Sequence, residues 1–384
     1  MPERLPNVPI PRISPDQRSA FRRDLIEWFE GERRDLPWRE LNEDGRRDPY
    51  RVWISEIMLQ QTRVDQVMPY FERFIKRFPD VTSLADASLD DVLKTWEGLG
   101  YYARARNLHK TALQIVHRFD GRFPDNVKDI KSLPGIGAYT SAAILSLAFG
   151  QPFAVLDGNV IRVLSRVFAV DEDVRATRTR RLLQAVADKL IDPNSPGAVN
   201  EALMELGATI CSPRKPLCSA CPLSAVCLAY RQNLVDELPF TSPRKPVPHY
   251  HIAVGIVRNA TGEVLIQKRP ENAMLGGLWE FPGGKQEENE TPSETCKREL
   301  YEEVGLDLNV EEKVATIHHA YSHFTITLHA FECETVDAEA APHSKQPIRW
   351  VAPEDLDTFA FPRANQQIVE ILQHQESPRE MQKH

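Results

Sequence analysis

From residue 14 onward, apolar positions recur every three or four residues, the period of a helix buried on one face. Ser14-Pro15 with Gln17 makes a capping-box start, and Phe21, Leu25, Trp28 and Phe29 follow at helical spacing. Similar amphipathic segments fall near 52–76, 88–95, 102–118, 139–149, 159–168, 178–191 and 197–209, whereas strand-like alternation is nearly absent before residue 235. Residues 1–235 are therefore predicted as one all-α domain. Residues 236–249, "DELPFTSPRKPVPH", are rich in proline and polar side chains and read as a linker. Beyond them "HIAVGIV", "EVLIQKR", "VATIHHA" and "TITLHAFEC" look like strands, with helices near 293–304 and 363–373. Residues 250–384 are predicted as an α+β domain.

Composition changes this picture little, with 42% hydrophobic and 27% charged residues, as in an ordinary globular protein. No run of about 18 apolar residues occurs, which predicts no membrane-spanning helix. "MPERLPNVPIPRISP" lacks an apolar signal core, so the expected location is cytoplasmic; a monomer is expected. Charge is more informative once divided. Residues 1–236 hold 33 Lys+Arg against 31 Asp+Glu, leaving 14 (47−33) against 24 (55−31) for the remainder. The net −8 thus belongs to the C-terminal part, and the N-terminal part retains the capacity for a basic face that binds nucleic acid.

Three motifs carry chemistry. Cys211, Cys218, Cys221 and Cys227 form C-x6-C-x2-C-x5-C. Four-cysteine zinc sites normally show two short C-x2-C pairs, so one compact loop with a single pair fits a [4Fe–4S] cluster better than zinc or plain core thiols. "LPGIG" (133–137) runs into a helix, where Gly135 and Gly137 let the backbone turn tightly and aim N–H groups at an anion. The stretch from Gly284 to Gly305 fits G-x5-E-x7-R-E-x2-E-E-x-G, the Nudix box, which supplies carboxylates to Mg²⁺ for diphosphate hydrolysis. Glu299, Glu302 and Glu303 share one helical face there. Separately, Glu56 sits in the apolar helical run "WISEIMLQQT", where burial should raise its pKa. An exposed polar position is the plainer alternative.

The helix–LPGIG–helix, Asp157 about twenty residues later and the cysteine spacing together resemble the helix-hairpin-helix DNA glycosylases. "PWR" (37–39), "DPYRVWISEIMLQQTRVDQVMPYF" (48–71) and "WEGLGYYARARNLHK" (96–110) resemble the MutY-type adenine glycosylases over residues 20–230. That resemblance implies removal of adenine from double-stranded DNA where it lies opposite 8-oxoguanine or guanine. It implies Glu56 as the acid that protonates the base and Asp157 as an ionised carboxylate facing the sugar cation, with Asn159 beside it. A cap or turn role for Asp157 remains open. Relatives that also cut the DNA backbone carry a lysine where this chain has Tyr139, so hydrolysis without a dedicated lyase is expected. Gln61 and Tyr101 match residues that enter the base stack, with Arg34, Thr62 and Leu99 near the same surface. A core aromatic is the alternative for Tyr101.

"HIAVGIVRNATGEVLIQKRP" and "LWEFPGGK" resemble MutT, and MutY-type proteins carry such a domain to read 8-oxoguanine, usually with the box eroded. Tyr321, Ser322 and His323 match the motif that touches the lesion. The intact box leaves nucleotide hydrolysis at Mg²⁺ open as an alternative, and a lesion-binding or DNA-scanning module with an inactive core is a separate one. Against hydrolysis, Ser344 stands where a late carboxylate is needed, with Asp337 or Glu339 as substitutes; for it, Asn365 matches a purine-reading residue.

Overall fold

The computed structural model describes residues 13–243, 246–321, 323–337 and 339–376. The chain divides into two compact units, Met1–Asp86 with Asn107–Arg244, and Ala87–Arg106 with Lys245–His384. In chain order the helices up to the linker are α1 (Pro15–Glu32), α2 (Pro49–Met58), α3 (Val64–Arg77), α4 (Val81–Asp86), α5 (Leu89–Trp96), α6 (Ala103–Phe119), α7 (Val127–Lys131), α8 (Ala138–Leu147), α9 (Gly158–Val167), α10 (Thr177–Leu190), α11 (Pro196–Thr209) and α12 (Leu228–Arg231). No strand precedes the linker among the described residues, as the helical period requires. The expected segment 52–76 is broken at 59–63, and this break holds the Gln-Gln-Thr turn.

The first unit is built around α1, α9, α10 and α11. Phe21, Leu25 and Phe29 of α1 meet Val160, Val163 and Leu164 of α9 and Leu203 and Leu206 of α11 in one buried cluster. Each such side chain contributes about 1.5–3 kcal/mol by leaving water. The cap of α1 is the reciprocal Ser14–Gln17 box, as its sequence implies. α2 is buried along nearly its whole length, from Tyr50 through Met58.

The second unit carries a four-stranded sheet in the order β4 (Gly283–Lys285), β1 (His249–Val257), β6 (Thr325–Thr335), β5 (Leu308–Ala320), with β1 and β6 parallel. A smaller antiparallel sheet is ordered β3 (Trp279–Glu280), β2 (Val264–Lys268), β7 (Ile348–Val351). Helix α13 (Pro292–Val304) lays Cys296, Leu300 and Val304 against Ala253, Val257 and Phe331, and α14 (Arg363–Glu376) closes a second core with Ile368 and Leu372. Residues 87–106 join this unit through polar bonds: Asp90 with Lys268 at 2.5 Å, Lys94 to the Phe359 carbonyl at 3.2 Å, and the Phe361 N–H to Glu97 at 2.9 Å. Sequence periodicity assigns this stretch to the helical domain; side-chain bonding more than 170 residues away in the chain is what regroups it.

Candidate active site

Asp48 accepts the Tyr50 N–H at 2.8 Å and caps α2, with Pro49 at its first position. Glu56 lies about two turns further along and is buried. Its Oε2 accepts the Tyr139 hydroxyl, from the first turn of α8, at 2.5 Å. Burial pushes Glu56 up to about 7, the Tyr139 bond opposes this, and the negative charges of Asp157 and Glu201 add to the rise. Tyr139 is itself held well above the ordinary phenol range by burial and by the two carboxylates. The phenol therefore stays a donor.

Asp157 is the N-cap of α9: Oδ1 accepts the Val160 N–H at 2.7 Å and Oδ2 accepts Asn159 Nδ2 at 3.1 Å. The cap role and a carboxylate near Glu56 are compatible, since one helix end serves both. Burial raises Asp157, while these bonds and Arg162 pull it back down. Arg162 donates to Asn159 Oδ1 at 2.7 Å, to the Gly207 carbonyl at 2.7 Å and to the Cys211 carbonyl at 2.7 Å. Gly207 is required there, because a Cβ would come 2.5 Å from Asn159 Cβ.

A second layer was not foreseen from sequence. Glu201 is buried and paired with Arg39 at 3.1 Å and Arg47 at 2.5 Å, and Glu205 takes Arg39 at 2.9 Å and Arg34 at 2.7 Å. Glu201 raises Glu56 and Arg47 lowers it. The only trace in the sequence is two acids at i and i+4 on an otherwise apolar helix, "EALMEL". Arg34, expected near DNA, is committed to Glu205 through its side chain and its N–H.

α7, the Ser132–Gly137 turn and α8 form the hairpin. Gly135 has φ +74°, and a Cβ there would lie 2.7 Å from Asn107 Cβ. Gly137 is the N-cap of α8, and both glycines are exposed. Gln61 is exposed and held at φ +60°, an uncommon conformation for a residue with a side chain. Thr62 donates to the Gln60 carbonyl at 3.3 Å.

Cys211, Cys218, Cys221 and Cys227 line one cavity together with Arg166, Leu206 and Leu223, and all are free thiols. Arg166 donates to Cys211 Sγ at 3.3 Å and to the Ser212 carbonyl at 2.8 Å. Burial, reinforced by the other three thiols, pushes Cys221 up to about 12. Four sulfurs sharing a cavity beside an arginine suit a multi-atom cluster that keeps them ionised. Among the described residues no three His, Cys, Asp or Glu side chains converge on a point fit for a single ion.

Helix α13 carries Glu299, Glu302 and Glu303. Its capping box is Thr291 with Glu294 and its C-cap is Gly305 at φ +68°. On the face expected to gather Mg²⁺, Arg298 pairs with Glu290 at 2.6 Å, Glu299 at 2.9 Å and Glu302 at 3.4 Å. Glu303 turns away to accept the Gly283 N–H at 3.1 Å and Gln267. One guanidinium offsets part of the repulsion among the three carboxylates it meets. Elsewhere in this unit, Leu99 is buried, Tyr101 sits at φ +51°, and Tyr321 stacks on Phe324 at 4.6 Å at the tip between β5 and β6. His323 is exposed there, and Ser322 lies outside the described residues.

A helical domain with this hairpin, followed by a two-sheet domain carrying a Nudix box, defines a base-excision DNA repair enzyme. The family described as HhH-GPD superfamily base excision DNA repair protein matches residues 54–189, and the NUDIX domain family matches 253–371. The chain belongs to the adenine DNA glycosylases and is a hydrolase of that class. It is 35% identical over 417 residues to adenine DNA glycosylase of Homo sapiens, covering 93% of this chain and 75% of that protein. With adenine DNA glycosylase of Buchnera aphidicola (Schizaphis graminum strain) it shares 31% over 354 residues, covering 92% and 99%. The structure of a thermostable thymine-DNA glycosylase aligns with a TM-score of 0.51 and 31% identity, over 56% of this chain and 98% of that one.

Proposed function

We propose that the enzyme hydrolyses the N-glycosidic bond of adenine opposite 8-oxoguanine or guanine in double-stranded DNA, with Glu56 as general acid. The observation that carries this is Glu56, buried, bonded to Tyr139 at 2.5 Å and held at about 7, so that a large fraction keeps its proton at neutral pH. Once the base is extruded, Glu56 delivers that proton to a purine ring nitrogen. Adenine then departs as a neutral base. Asp157, which burial raises and which its Val160 and Asn159 bonds and Arg162 pull back down, stabilises the positive charge developing on the sugar. Water completes the exchange, and Tyr139 offers no amine for a Schiff base.

The duplex is gripped through the Gly135–Gly137 hairpin, with Gln61 and Tyr101 as the residues that enter the stack. Their unusual positive φ supports a functional reading, because such strain persists where the surroundings impose it. Tyr321 and His323 at the hairpin tip suit contact with the oxidised base. The four cysteines would hold a [4Fe–4S] cluster, which supplies a scaffold for their loop and no step of the hydrolysis.

The test is incubation of purified full-length protein with duplexes containing A opposite 8-oxoguanine, G or T, followed by alkali. Cleavage after alkali for the first two and not for T is expected. Equal cleavage of all three, or none, would reject the proposed substrate.

A further inference from the structure

The turn that carries Tyr101 is tightly bent: Gly98, Gly100 and Tyr101 have φ of +91°, +75° and +51°. Glycine tolerates that region, whereas tyrosine keeps it only where the surroundings impose it. The holding group is a buried arginine. Arg104 Nη2 donates to the carbonyls of Leu99 at 3.3 Å and Gly100 at 3.2 Å. Its guanidinium lies over two rings, 5.2 Å from the Trp96 centroid and 5.3 Å from that of Tyr101. Trp96 Nε1 donates to the same Gly100 carbonyl at 3.0 Å, and the Gly98 N–H donates to the Tyr102 hydroxyl at 3.3 Å. The backbone N–H of Arg104 closes on the Tyr101 carbonyl at 2.8 Å. Burial lowers Arg104 to about 10, which leaves it charged at neutral pH.

We infer that Arg104 is a positioning residue for the excision reaction: it presets the Tyr101 ring for insertion into the base stack by clamping the Leu99–Gly100 carbonyls and covering one ring face. This rests on the proposed role of Tyr101. A buried guanidinium 91% shielded from water is poorly placed to serve as a phosphate contact, and its donors point at the turn. Preorganisation is the gain, since a turn already bent does not lose that freedom on binding. Lysine cannot replace it, having neither the planar face nor the fork.

The experiment is a double-mutant cycle on duplex affinity with the full-length protein. The probe is a duplex with G opposite an adenosine bearing a 2′-fluorine, which resists cleavage by disfavouring positive charge on the sugar. Tyr101→Ala should weaken binding roughly tenfold, the scale of one base–aromatic stack. Arg104→Met and Arg104→Lys should each cost a comparable factor. Either combined with Tyr101→Ala should cost no more than about twofold beyond Tyr101→Ala alone. Multiplying losses would overturn the inference and leave the Tyr101 role standing. No loss with Tyr101→Ala would remove that role and the inference with it. Restored affinity in Arg104→Lys would mean a simple charge contact and also overturn it. Should Arg104→Met fold poorly, the Lys arm alone completes the cycle.

Discussion

Glu56→Gln should change the pH dependence of stability as well as abolish excision. Burial holds the folded-state pKa of Glu56 at about 7 against an ordinary 4.5. The folded chain thus binds this proton more tightly than the unfolded chain, so stability is lost as pH rises from 4.5 through 7 and the full cost persists above. At about pH 5.5 the cost works out at about 1.4 kcal/mol, and at about pH 8.5 at about 3.4 kcal/mol. The difference, about 2 kcal/mol, is absent when an amide replaces the carboxyl. Paired urea titrations of wild type and Glu56→Gln at those two pH values measure it, since the midpoint and slope give each free energy. Wild type should lose about 2 kcal/mol more than the variant on going to the higher pH. Parallel losses would refute the buried-acid reasoning, and a greater loss by the variant would mean that the pocket favours the carboxylate.

Asp157→Asn should lower excision about 10³-fold while leaving duplex binding close to wild type, which single-turnover rates and gel shifts separate. Tyr139→Lys should confer strand cleavage trapped by borohydride, whereas efficient trapping of wild type would contradict a purely hydrolytic enzyme. Iron and inorganic sulfide should each analyse at about four per chain, and Cys218→Ser should lose the visible absorbance; stoichiometric zinc would overturn the cluster. Mg²⁺ should leave the melting temperature unchanged, because Arg298 holds Glu290, Glu299 and Glu302, and Glu303 is bonded to Gly283 and Gln267. A Mg²⁺ stabilisation that Glu299→Gln removes would show that the arginine yields to the ion.

Local signals were legible where local physics decides. The 3.6-residue period placed α8 through α11 within a residue or two, and the capping box of α1 was visible as Ser14–Gln17. Glu56 stood out because a carboxylate inside "WISEIMLQQT" has nowhere polar to go. Non-local pairings were not legible. Glu201 meets Arg47 across 154 residues, and Arg34 meets Glu205 across 171, so neither pair leaves a periodic trace. Strands β3, β4 and β7, two to four residues long, are too short for alternation to register. On α13 the acidic face is visible in sequence, whereas the pairing of Arg298 with Glu290, Glu299 and Glu302 is not. Backbone strain at Gln61 and Tyr101 was equally hidden, since nothing in either residue type demands a positive φ.

Single-turnover release of adenine from a duplex with A opposite 8-oxoguanine, followed from pH 6 to 9 for wild type and Glu56→Gln, tests most directly whether Glu56 is the acid. The wild-type rate should fall by about tenfold per unit once pH exceeds the Glu56 value of about 7, as the protonated fraction drains. Glu56→Gln should release no adenine above background at any pH while still binding the duplex. A wild-type rate that is flat to pH 9, or a variant that excises at the wild-type rate, would contradict the assignment.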